Sequence, residues 1–196
     1  MLGPQHCIAF PLFHALKGCD VVSAMFGIGK KTAWNAWLTY PQVTDTLIAI
    51  TEEPTRLTLK SPHMQHLERW IIVMFSKNCD ADSLNEARKR MFTNGLNDLD
   101  SIPPTQHAFF QHAKRGLLTA AFVWKQALLK TPDIPIPSDW GWEWNARTKE
   151  WVPYWTDLAD VSQACSLLLN CGCVVACRGN CTCNLAGLRC SPLCKF

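Results

Sequence analysis

The chain has 196 residues, 48% of them hydrophobic, and a formal net charge of +3. That length holds one medium domain with a small appendage, and that apolar share can bury a sizeable core. The charge is too small for a global basic footprint, and no run nears the ~20 apolar residues of a membrane helix.

The first apolar stretch, Ile8 to Phe13, is short, interrupted by Pro11 and preceded by no basic segment, so a secretory leader is not expected. Residues 6–20 read as an apolar helix around Phe13, His14, Ala15 and Leu16, closed by Gly18. A turn at Gly27 and Gly29 follows, then a second helix from Lys30 to Leu38 that Pro41 stops. Residues 62–76 place Leu67, Trp70, Ile71, Met74 and Phe75 at helical spacing. Ser83 and Glu86 form a capping box for a helix reaching about Phe92. Residues 105–130 predict the longest helix, capped by Thr105, with Phe110, Ala113, Leu117, Ala121, Trp124 and Leu128 on one face. Pro132, Pro135 and Pro137 predict an extended linker. Trp140, Trp142 and Trp144 alternate with period two, Asn145 to Lys149 is a polar turn, and Glu150 to Trp155 returns as an edge strand marked by Pro153. Those rings can pack on the long helix or stack on nucleic-acid bases; packing is the commoner use. Residues 157–169 read as a short helix leading into a cysteine-rich end.

The expected class is therefore mainly α. It comprises a helical region over 1–130, a proline linker with a tryptophan-rich β-hairpin over 131–160, and a zinc-stapled cysteine knot over 165–196.

Two segments carry chemistry. In the first, Ala15-Leu16-Lys17-Gly18-Cys19-Asp20 precedes Met25-Phe26-Gly27-Ile28-Gly29-Lys30-Lys31-Thr32-Ala33. Two glycines let a backbone approach a phosphate closely, the following helix offers free amides, and Lys30 and Lys31 add charge. Taken alone, a G-x-G-K turn is often only a turn. With its flanks, the segment 12–38 resembles the end of the flap-endonuclease/XPG nuclease domain, a PIN-like fold. There an L-x-G-x-D run precedes a helix-three-turn-helix built on G-I-G-x-K-x-A. The resemblance implies Asp20 as one of several metal-binding carboxylates, and Gly27, Gly29 and Lys31 as a grip on duplex backbone. Two-metal hydrolysis needs several converging carboxylates, yet none of the 19 residues before Asp20 is acidic. The expectation is no catalysis by these residues: either the chain is a fragment of a longer protein or the nuclease fold is degenerate. The histidines imply no metal site either. His107 and His112 are five apart rather than four, and His63 with His66 lacks a third ligand.

The second segment is the tail. Cys171, Cys173, Cys177, Cys181, Cys183, Cys190 and Cys194 place seven of the eleven cysteines in the last 26 residues. Two C-x-C pairs suit thiolates wrapped around a metal, and a disulfide within one pair would close a strained ring. Zinc is favoured over a secreted disulfide knot, because seven is odd and no leader is seen. The order of these cysteines, with Ala186-Gly187 before Cys190 and Ser191 before Cys194, resembles the tesmin-like CXC domain. That family wraps nine cysteines around three zinc ions. Its pattern continues with further cysteines where Lys195 and Phe196 stand here, so the resemblance implies at least two zinc ions, without the family's complete ligand set for three. Cys165 reads as an ordinary buried thiol. DNA-binding relatives carry a basic loop after the first pair and a minor-groove tyrosine before the second; this chain has Val174, Val175, Ala176 and Asn180. Arg178, Arg189 and Lys195 are offset by seven thiolates and two zinc ions, leaving a near-neutral knot with little pull on phosphate.

The whole chain also resembles the C-terminal part of mobile-element-like animal proteins that join the Phe13–Asp20 segment to a terminal CXC knot. The expected function is a zinc-binding, non-catalytic interaction module, with DNA or RNA backbone or another protein as partner. The alternative is the tail of a PIN/XPG-like nuclease. Free or metal-bound thiols fit a reducing intracellular compartment, the nucleus included. Arg88-Lys89-Arg90 is too short to serve as an import signal.

Overall fold

A computed structural model describes residues 3–93 and 101–156. Among the described residues are six α-helices and one two-stranded antiparallel sheet, so the mainly helical expectation with a hairpin holds. The zinc-stapled knot expected over 165–196 and the helix expected over 157–169 lie outside the described residues.

Helix α1 (Pro4–Lys17) opens on proline, whose missing amide costs nothing in a first turn, and stops at Gly18. It buries Ala9, Leu12, Phe13 and Leu16. Helix α2 (Lys30–Thr39) buries Ala33, Ala36 and Trp37. It ends as predicted, because the residue before Pro41 is pushed out of the helical region. The Trp37 Nε1–H donates to Thr44 Oγ1 at 2.8 Å, which ties α2 to the next helix.

That helix, α3 (Val43–Glu52), stands where the sequence predicts no element between Pro41 and residue 62. Six of its ten residues are β-branched, which lowers helical propensity. Burial overrides propensity here: Val43, Leu47 and Ile50 follow helical spacing and are all fully buried.

Helix α4 (Pro62–Phe75) is central. Ser61 caps it by accepting from the Met64 amide at 3.2 Å, and Met64, Leu67, Trp70, Ile71 and Ile72 are inaccessible to solvent. α1 packs on α3, α2 and α3 pack on α4, and α4 packs on α5. Helix α5 (Leu84–Thr93) has Ser83 accepting from the Glu86 amide at 3.3 Å. The Glu86 carboxylate reaches back to the Asp82 amide at 3.4 Å, one residue beyond the box expected from the sequence.

The long helix predicted over 105–130 is shorter and changes winding. Helix α6 (Gln106–Leu117) begins on Thr105, which accepts from the Ala108 amide at 3.3 Å. It passes into a π-helical segment, Leu118–Trp124. The Thr119 hydroxyl donates back to Arg115 O at 3.1 Å, the kind of side-chain bond that competes with the helical ladder. Wider winding breaks the predicted face. Ala113, Leu117 and Ala121 are buried as expected, but Phe109 replaces Phe110 in the core, and Leu128 is fully exposed.

After the linker, Pro137–Trp140 forms a 3-10 turn, so Trp140 precedes the strands rather than joining them. Strand β1 (Trp142–Asn145) pairs with β2 (Glu150–Pro153), placing Trp142 opposite Pro153 and Trp144 opposite Trp151. The Asn145 side chain closes the turn by accepting from the Arg147 and Thr148 amides. The hairpin falls in the same compact unit as the helices. Its anchor is Arg115 of α6, which is 1% exposed and donates to Gly141 O at 2.9 Å and Tyr154 O at 2.8 Å.

Gly141 makes that approach feasible. It has φ 79°, and a Cβ there would sit 2.5 Å from Gln111 O on α6. Gly141→Ala is therefore expected to cost about 2 kcal/mol, from the left-handed backbone and the forced shift of the hairpin. Urea unfolding monitored by far-ultraviolet circular dichroism measures it, and a loss below about 0.5 kcal/mol would contradict the close packing.

Candidate nucleic-acid interface

The segment between α1 and α2 is held by backbone and by one buried lysine. The Gly18 amide closes on Ala15 O at 3.1 Å. Cys19 and Val22 then exchange two backbone hydrogen bonds, at 2.9 and 3.3 Å. Asp20 and Val21 stand exposed at the tip of that small turn. A second turn follows, in which the Ile28 amide donates to Met25 O at 3.2 Å. Gly27 takes φ 70° there, with open space where a Cβ would be, and Phe26 is 71% exposed.

Lys17 fixes this second turn. Its stem is buried, and Nζ donates to Ile28 O at 2.6 Å. Burial, then the neighbouring Lys30 charge, lowers its pKa from the usual lysine value. α2 opens immediately after, with Gly29 at the N-cap and no side-chain cap. The first amide to close the helix is that of Ala33, on Gly29 O at 3.1 Å. The amides of Lys30, Lys31 and Thr32 precede that bond and face outward at the positive end of the helix. Lys30 and Lys31 are both exposed. The predicted grip residues Gly27, Gly29, Lys30 and Lys31 thus run from this turn into the first residues of α2.

Asp20 lies on the neighbouring turn. Among the described residues, no group of three or more His, Cys, Asp or Glu side chains could hold a metal ion. His66, His107 and His112 have local partners instead. His66 Nδ1 lies 2.5 Å from the Tyr40 hydroxyl, and His107 Nδ1 lies 3.0 Å from Thr156 Oγ1. His112 is buried and its Nε2–H donates to Leu16 O at 2.8 Å. The described cysteines, Cys7, Cys19 and Cys79, are free thiols. The predicted zinc ligands Cys171, Cys173, Cys177, Cys181, Cys183, Cys190 and Cys194 lie outside the described residues. No helix among the described residues is long and apolar enough to cross a membrane.

Sequence reasoning missed a cleft beside the turn. It has a volume of about 470 Å³ and is lined by Phe10, Phe13, His14 and Lys17 of α1 and by Lys30, Lys31 and Trp34 of α2. Three lysines and no carboxylate form its walls. The periodic placement of Phe10, Phe13, His14 and Lys17 was a visible signal for one wall. The second wall exists only once α2 is folded beside α1.

No family model, curated protein or solved structure matches the chain.

Proposed function

We propose that this protein is a non-catalytic interaction module that touches nucleic-acid backbone through the Gly27–Lys31 turn and carries structural zinc in its cysteine-rich tail. The observation that carries the first half is the uncapped start of α2, flanked by exposed Lys30 and Lys31 and braced from behind by Lys17. Helix-start amides with adjacent lysines suit phosphate oxygens. They read no base edge, so binding of this kind is sequence-blind and salt-sensitive.

Fluorescence anisotropy across a salt series tests it. Replacing Lys30 and Lys31 with alanine should flatten the slope of log affinity against log salt by about two, near one per lost phosphate contact. Arg178→Ala with Arg189→Ala should change it less. The reverse ranking would make the cysteine knot the reader and leave the turn a turn.

The zinc half rests on the cysteine spacing. Native mass spectrometry of the full chain should show at least two zinc ions that a chelator removes. Thiolate binding supplies folding energy to so short a segment, on the order of 10 kcal/mol per structural ion. A chain that retains no zinc after purification with zinc present would refute this half alone.

A further inference from the structure

The cleft between α1 and α2 has a mixed chemistry that phosphate contact does not explain. Phe10 is 42% exposed, and His14 and Trp34 are half-buried beside it. The Phe10 and His14 rings are nearly parallel at 4°, with centroids 6.4 Å apart. His14 stacks in turn on Trp124 at 5.6 Å. Trp34 meets Phe13 edge-on at 5.8 Å, which holds its indole in place. A site for an inorganic anion has no use for four aromatic rings. A site for an apolar ligand has no use for three lysines and would not exclude carboxylates.

We infer that this cleft seats one unpaired base of a single-stranded nucleic acid, with the flanking phosphates on Lys30 and Lys31. The inference rests on the backbone reading above and extends it to the kind of strand bound. Charge complementarity fixes the occupant's sign: the lining is wholly basic or neutral, and Asp20 is the single acid among the first 44 residues. Ring faces fix its other half, because every base has a π-face that stacks on aromatic side chains without regard to sequence. The volume lies inside the ~300–1,000 Å³ range of small-ligand sites, so a base with its sugar can enter. Lys17 couples the two halves. One of its three protons holds Ile28 O in the turn, and the same side chain lines the cleft. A duplex can lay phosphates on the turn, but its bases are stacked on one another and do not enter. The site therefore discriminates single strands from duplexes.

The test uses the full chain and three labelled probes of equal length: a single-stranded oligonucleotide, an abasic strand with the same phosphates, and a duplex. The single strand should bind about tenfold tighter than the abasic strand, which corresponds to stacking of one base. Phe10→Ala should abolish that preference without altering the salt slope, and Phe10→Trp should restore it. Phe10 is exposed, so an unchanged circular dichroism melt confirms that the variant is folded. Equal affinity for the three probes, or a base preference indifferent to Phe10→Ala, overturns the cleft proposal while the Lys30 and Lys31 salt effect still supports backbone binding. A salt slope indifferent to those lysines overturns the backbone reading itself.

Discussion

Arg115→Ala is expected to destabilise the protein by roughly 4 kcal/mol and to release the hairpin from the helices. The guanidinium donates to two backbone carbonyls, Gly141 O and Tyr154 O. Hydrogen bonds from a charged donor contribute ~1.5–3 kcal/mol when buried. Its face also covers the rings of Trp142, at 6.0 Å, and Trp155, at 5.0 Å. Truncation removes these contacts and leaves a void under the hairpin. Gly141 O keeps one donor, the Tyr154 amide at 2.9 Å, so the loss falls short of a full orphaning. Opposing these gains is the charge itself. Burial lowers the Arg115 pKa to about 10, and its Nη2 has no hydrogen-bond partner. Arg115→Met keeps the stem and removes the charge, so it should cost about half as much. Chemical denaturation gives the free energies. Amide exchange should accelerate first in residues 142–153, before the amides of α4. A loss below about 1 kcal/mol would mean that the hairpin holds to α6 by other contacts.

Arg115 also marks where the sequence stops being informative. An arginine in an amphipathic helix reads as part of the solvated face, and only the hairpin folding over α6 buries it. The elements that were legible carry local signals: the proline at Pro41, hydroxyl caps at Ser83 and Thr105, glycines at Gly18 and Gly27. α3 carries none, since its β-branched composition speaks against the helix that burial of Val43, Leu47 and Ile50 imposes. The π-helical stretch was invisible because its winding depends on packing and on Thr119, while the periodic face through Leu128 assumes regular turns. The same division runs through the site. The Gly27–Lys31 turn announces itself because φ-permissive residues and lysines are adjacent in sequence. The cleft does not, because Phe10 and Trp34 line it from two different helices. The cysteine tail lies outside the described residues, and its zinc is proposed from the spacing alone.

Acid should unfold the protein through a buried histidine. His112 is enclosed between α6 and α1, with its Nε2–H donated to Leu16 O and its ring stacked on Phe109 at 6.1 Å. Burial lowers its pKa from 6.5 to about 4, and the nearby Arg115 and Lys17 charges push the same way, while the Leu16 bond opposes them. An unfolded chain takes up this proton near pH 6.5; the folded chain resists it until about pH 4. The stability contributed is therefore full above pH 6.5 and lost as pH falls toward 4. Integrated over that window the loss is about 3 kcal/mol. Glu68 acts in the opposite sense. Burial raises its pKa, so the folded state gains stability from its protonation as pH falls. The wild-type curve alone mixes the two. His112→Gln separates them, because glutamine does not titrate and its amide can still donate toward Leu16 O. The difference in unfolding free energy between wild type and His112→Gln cancels the Glu68 contribution. That difference should shrink by about 3 kcal/mol between pH 7 and pH 4, in favour of the variant at the acid end. A difference that stays constant across the range would show that the imidazole protonates in the folded state as readily as in the unfolded chain. It would also show that α1 and α6 open locally to admit the proton, which would loosen the wall that carries Phe10 and His14.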